Sequence, residues 1–108
     1  MAAVMIRLAE IASARSGDKG NHANVAVFAR DAESFAWLRT QLTAERVHQY
    51  FAPLGLSRVE RFEAPNVHAF NFLLHDVLAG GASRSLRIDT QGKTLGLAIL
   101  EMLVPEPP

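Results

Sequence analysis

The eleven residues from Ala14 to Asn24, ARSGDKGNHAN, carry three charged side chains, two glycines, two asparagines, a histidine and a serine, in a chain that is 49% hydrophobic. Gly17 and Gly20 flank Asp18 and Lys19, and glycine takes positive φ without steric cost. If both glycines do so, successive backbone N–H groups turn inward and form a nest for an anion. Arg15 would grip a carboxylate or phosphate with two parallel hydrogen bonds, and Lys19 would add a second positive charge. Ser16, Asn21 and Asn24 supply further polar handles. The competing reading is a solvated turn in which Asp18 pairs with Arg15 or Lys19, a contact worth at most about 1 kcal/mol. The stretch is not a P-loop, because Lys19 precedes Gly20 and a strand pattern, not a helix, follows.

A second cluster lies downstream. Val67, Phe70, Leu74, Val77 and Leu78 recur at helical spacing, which predicts a helix from Asn66 to about Ala79, stopped by Gly80 and Gly81. His68, Asn71 and His75 would then share one stripe, within about 60° around the axis. A polar but uncharged stripe on an apolar helix suggests hydrogen bonding to something. On that helix the histidines stand about 10 Å apart, too far to share a metal ion, so no metal site is expected. The third cluster is Gly80, Gly81, Ser83, Arg84 and Ser85. It reads either as a set of donors at a strand start or as a plain glycine cap. Neither a Gly-x-Ser-x-Gly elbow nor a glycosidase-like carboxylate pair is present. Asp18 or His75 as acid or base, and Lys19 as an electrostatic or Schiff-base residue, are catalytic candidates by type alone. No cofactor is expected.

The elements that must position these residues come next. Ile6 and Leu8 alternate with Arg7 and Ala9 as a half-buried strand, and Asn24 to Ala29 reads as a second strand, antiparallel to the first if they pair. Asp31 caps a helix bearing Phe35, Leu38 and Leu42. Thr43 restarts one bearing Val47, Tyr50, Phe51 and Leu54, and Gly55 ends it. Ser57 to Ala64 is a charged edge strand, and Ser83 to Asp89 a fourth strand. Lys93 to Leu103 reads as a last helix, apolar nearly all round, which predicts a homo-oligomer formed through it. The expected fold is α+β: a four-stranded, mainly antiparallel sheet with helices packed on one face, ferredoxin-like. A chain of 108 residues gives one domain, with Pro105 to Pro108 as an unstructured tail.

Eleven basic residues balance eleven acidic ones, which argues against nucleic acid as a partner. The chain has no cysteine, so thiol chemistry and disulfides are excluded. Neither a signal-peptide pattern nor an apolar run of membrane-spanning length is present, so a cytoplasmic location without membrane contact is expected.

The runs LAEIASARSGDKGNHANVAVFARD, LTAERVHQYF and NFLLHDVLAGGASRSLRIDTQGKTLG resemble the small C-terminal domain of AtuA-like proteins, the acyclic-terpene-utilisation family. That resemblance covers Ile6 to Leu103 and implies a ferredoxin-like fold. It also implies a bacterial catabolic setting of terpenoid or branched acyl-CoA breakdown, beside a large AtuA-type partner. The distinctive pattern falls on Arg15, Ser16, Gly17, Asp18, Lys19, Gly20, Asn21, Asn24, Asn71, Gly80, Gly81, Ser83, Arg84 and Ser85. His22, His68 and His75 lie outside it. The function expected is an accessory module binding a small anion, a carboxylate or the phosphates of CoA. The alternative is a lyase or hydratase acting on CoA thioesters through Asp18, Lys19 and His75.

Overall fold

The computed structural model describes residues 4–77 and 94–108. Two helix starts in it are written locally in the sequence. Asp31 is the N-cap of α1 (Ala32–Gln41), its carboxylate accepting a 2.8 Å hydrogen bond from the Ser34 N–H. Hydrogen bonding to Ser34, with Arg30 alongside, holds the Asp31 pKa below the usual aspartate value. Thr43 starts α2 (Ala44–Phe51) by accepting from the Arg46 N–H at 3.1 Å. Replacing Thr43 with alanine orphans that amide and is expected to cost about 1 kcal/mol. The check is a lower urea midpoint with an unchanged m-value. Gly55, at φ +78°, turns the chain out of the short 3-10 turn that follows α2.

The strands are β1 (Met5–Arg7), β2 (Ala12–Lys19), β3 (His22–Ala29), β4 (Arg58–Ala64), β5 (Ala69–His75) and β6 (Leu103–Pro105), with α3 (Thr94–Ile99) before the last. Four of them form a sheet in the order β2-β3-β5-β4, and every neighbouring pair is antiparallel. Because β3 and β4 both oppose β5, they run parallel to each other. The helices α1 and α2 carry the chain from one to the other, and β5 fills the gap between them. This is the split β-α-β arrangement of ferredoxin-like folds. Its flanking strand β2 comes from the chain ahead of β3.

One face of the sheet is the core. Ala23, Val25 and Val27 of β3 and Phe70, Phe72 and Leu74 of β5 alternate inward and are buried. Phe35 of α1 stacks on Phe70 with 4.7 Å between ring centroids. Val47 and Phe51 of α2, with Leu95 and Ile99 of α3, join the same buried cluster. The domain is therefore α+β, with a four-stranded antiparallel sheet and helices on one face.

Several elements differ from the sequence reading. The segment read as a helix from Asn66 to Ala79 is the central strand β5. Pro65–Val67 make only one 3-10 turn, and His68 then takes a left-handed conformation at φ +53° that sends the chain into the sheet. Phe70, Phe72 and Leu74 fit a period of two as well as Phe70, Leu74 and Val77 fit a helical one, and short apolar runs do not distinguish them.

The first sheet strand is β2, not residues 6–9. β1 pairs instead with β6, and Leu8 opens a 3-10 turn. The last helix stops at Ile99, where Glu101 and Met102 donate to Ala98 and Ile99 in tight turns, and β6 follows. Its apolar run thus belongs to a helix and then a strand, each burying its own face. Pro105 is not a free tail residue, since it pairs with Met5 and its carbonyl accepts from the Trp37 Nε1–H at 2.7 Å. The strand expected at residues 83–89 lies outside the described residues.

Candidate functional site

The polar stretch 14–24 is a hairpin rather than a long loop. β2 and β3 pair in register from Ala12 with Ala29 to Lys19 with His22, leaving Gly20 and Asn21 as the turn. Gly20 has φ +68°, as the first position of a type II′ hairpin turn requires. Among the described glycines only Gly20 and Gly55 have positive φ. Gly17 is ordinary strand backbone, so the nest expected between the two glycines does not form. Successive amides of a strand point to opposite sides and cannot converge on one anion.

Pleating sorts the residues instead. Directly opposed residues share a face, so Ser16 and Asp18, opposite the buried Val25 and Ala23, belong to the core side. Ser16 Oγ accepts from the Gly96 N–H at 2.7 Å and fastens β2 to α3. Arg15 and Gly17 lie on the other face, which carries no helix among the described residues, opposite Ala26 and Asn24. β5 adds Asn71, Leu73 and His75 to that face, and β4 adds Phe62, Glu60 and Arg58. Asp18 and His75 therefore stand on opposite sides of the sheet. Asn21 belongs to the turn, and Lys19 pairs with His22 in the last rung. His68 serves the fold, packing its ring 5.8 Å from Phe35 while its carbonyl accepts from the Ala29 N–H. Gly80, Gly81, Ser83, Arg84 and Ser85 lie outside the described residues.

Two groups occupy the open face. In the first, the Asn24 Nδ2 donates to Asn71 Oδ1 across the β3–β5 ladder. The bond leaves both hydrogens of the Asn71 amide nitrogen for another acceptor. Arg15, Ala26 and Asn71 form one rung across β2, β3 and β5, which sets Arg15 and Asn71 about 10 Å apart over the small Ala26. A β-carbon at Gly17 would meet nothing within 4 Å among the described residues. Arg7, Arg30, Arg39, Arg46, Arg58 and Arg61 all reach a carboxylate, a carbonyl or an amide oxygen. Arg15 is exposed and makes no ion pair or hydrogen bond among the described residues.

The second group lies toward the hairpin turn. His75 Nε2 is 2.6 Å from Glu60 Oε1, and Arg58 approaches the same oxygen at 3.3 Å. Hydrogen bonding to His75, with the charge of Arg58, holds the Glu60 pKa below the usual glutamate value. The His22 ring stands edge-on to His75 at 5.0 Å, and His22 Nδ1 accepts from the Asp76 N–H at 2.9 Å. Among the described residues, no three acidic or imidazole side chains are grouped to hold a metal ion.

Sequence reasoning did not find Glu60 as the partner of His75. Its only local signal was the alternating charge of Arg58, Glu60 and Arg61, which equally marks an edge strand. A hollow of about 320 Å³ between α1 and the chain end, and one of about 410 Å³ beside Tyr50, are lined by none of the sequence-selected residues. No helix of the described residues is long and apolar enough to cross a membrane.

No curated protein and no solved structure matches this chain. The family model described as the AtuA ferredoxin-like domain matches residues 6–105, which takes in the helical layer and the whole four-stranded sheet. With nearly its full length matched and the ferredoxin-like arrangement in place, the chain belongs to the AtuA ferredoxin-like domain family.

Proposed function

We propose that this chain is a cytoplasmic accessory module of an AtuA-type catabolic system, acting on terpenoid or branched acyl-CoA compounds beside a large AtuA-type subunit. Its open sheet face holds an anionic group, a carboxylate or a CoA phosphate. The observation that carries this reading is Arg15, the one arginine of the described residues with no partner, standing in a rung with Asn71. An arginine fork on one side and an amide nitrogen on the other suit a planar carboxylate lying over Ala26. The family's setting supplies the class of compound, and the balanced net charge leaves recognition to this short-range contact. Leu97, 68% exposed on α3, and Leu103, 55% exposed on β6, support self-association through that part of the chain.

Calorimetry with octanoate, octanoyl-CoA and the uncharged octanamide tests the anion site. The wild-type chain is expected to bind at least one of the two anions and not octanamide. Hydrogen bonds to a charged group contribute about 1.5–3 kcal/mol, so Arg15→Ala should weaken binding by roughly tenfold to a hundredfold. Equal binding by the Arg15→Ala variant, or by octanamide, removes the reading.

A further inference from the structure

We propose that His22 and His75 form a proton-transfer site on the open sheet face, enolising a carbonyl compound whose anionic group lies far from the carbonyl. The second clause rests on the Arg15 reading above, and the first does not.

The two imidazoles are fixed in complementary roles by independent contacts. The 2.6 Å approach of His75 Nε2 to a carboxylate oxygen puts a hydrogen on that nitrogen. Nδ1 of the neutral ring is then left with a lone pair. His22 has the reverse arrangement. Its Nδ1 accepts the Asp76 N–H, so the hydrogen of the neutral ring is on Nε2. One ring is thus a base and the other a donor, with 5.0 Å between centroids. Asp76 is itself held at φ +63°, and its carboxylate is bound to Ser57 Oγ at 2.6 Å, so the donated amide has a set direction.

The step follows from those roles. His75 Nδ1 removes a proton from the carbon beside the carbonyl. The C–H bonding pair becomes the carbon–carbon double bond, and the carbonyl π pair moves to oxygen. The enolate oxygen is held by the His22 Nε2–H, which polarises it without giving up its proton, as a neutral imidazole can. Glu60 balances the charge gained by the His75 ring. Return of a proton from His75 to carbon restores the ketone, and no oxidant or co-reactant is consumed. Glu60 is a positioning residue, and Arg58 stands beside the pair, 3.3 Å from both Glu60 Oε1 and His75 Nε2.

Distance selects the substrate class. From Ala26, over which the anion is held, to His22 is four residues along β3, or about 13 Å. Leu73 lies between them on the same face. A medium-chain oxo acid spans that interval, and a short one does not.

The test follows α-proton exchange in D2O by NMR with 9-oxodecanoate, levulinate and uncharged 2-butanone. The full chain should exchange 9-oxodecanoate roughly a hundredfold faster than protein-free buffer, with levulinate and 2-butanone slower. His75→Gln should return the rate to background, and His22→Ala should lower it about tenfold, with circular dichroism confirming folded variants. Glu60→Gln should lower turnover while leaving KM unchanged. Arg15→Ala should slow 9-oxodecanoate alone. If no substrate exchanges above buffer, or folded His75→Gln keeps the full rate, the proton-transfer site is overturned. If His75-dependent exchange persists but 9-oxodecanoate and 2-butanone respond alike to Arg15→Ala, the anion reading fails and the histidine pair stands.

Discussion

Replacing Phe70 with alanine is expected to lower the unfolding free energy by about 3–5 kcal/mol. Phe70 is fully buried in β5, which pairs on both sides, with β3 and with β4. Its ring stacks on Phe35 at 4.7 Å, tilts against Phe72 at 6.5 Å, and lies under the Arg61 guanidinium at 5.3 Å. Alanine therefore removes the transfer free energy of the ring and leaves a cavity that neither a central strand nor a helix anchored by Asp31 can readily close. A domain of this size has about 5–15 kcal/mol in total, so the variant stands near the limit of folding. Urea unfolding at 25 °C is the measurement. A loss below about 1.5 kcal/mol would mean that α1 settles onto the sheet and that Phe70 does not hold the two layers apart.

The same residue shows why part of the fold was legible and part was not. Asp31 and Thr43 mark helix starts through bonds spanning three residues, so the relevant chemistry is all in the local sequence. Arg58–Ala64, with charges on both faces, is legible as an edge strand because such a strand needs no neighbour to explain it. β5 is different. Phe70, Phe72, Leu73 and Leu74 satisfy strand and helix templates alike, and the choice is made by β3 and β4, which pair with it from more than 40 and about 10 residues away in sequence. β2 was hidden for the opposite reason. Its alternation is carried by Ser16 and Asp18 on the inner side and by Arg15 and Gly17 on the outer, so no apolar period of two is visible.

For the site, residue type proved more informative than the geometry inferred from it. Arg15, Asn24, Asn71 and His75 do share one surface, but they share it as alternate residues of three strands and not as a nest facing a helix. Asp18 and Ser16 were grouped with them by proximity in sequence, and pleating separates them. Glu60 could be found only once the register of β4 on β5 was known, because nothing near it in sequence requires a histidine.

Gly96→Ala joins this packing to the open face and is expected to destabilise the chain by about 1–2 kcal/mol. A β-carbon there would lie 3.0 Å from Ser16 Oγ and 3.2 Å from Arg15 C and Ser16 N. Alanine is the better helix former by about 1 kcal/mol, so an unobstructed site would show the opposite sign. The obstruction is strand backbone, which cannot turn aside as a side chain can. Ser16→Ala removes the nearest atom and also the acceptor of the Gly96 N–H, so it should relieve little of the strain. α3 would instead have to lift from β2, or β2 to shift outward at Arg15. In the second case, octanoate or octanoyl-CoA binding weakens together with stability, although Gly96 lies on the far side of the sheet from Arg15. Thermal unfolding and calorimetry on the one variant measure both. A stabilised Gly96→Ala chain would show that α3 does not press on β2, and with that the route by which the helical layer sets the position of Arg15 would be gone.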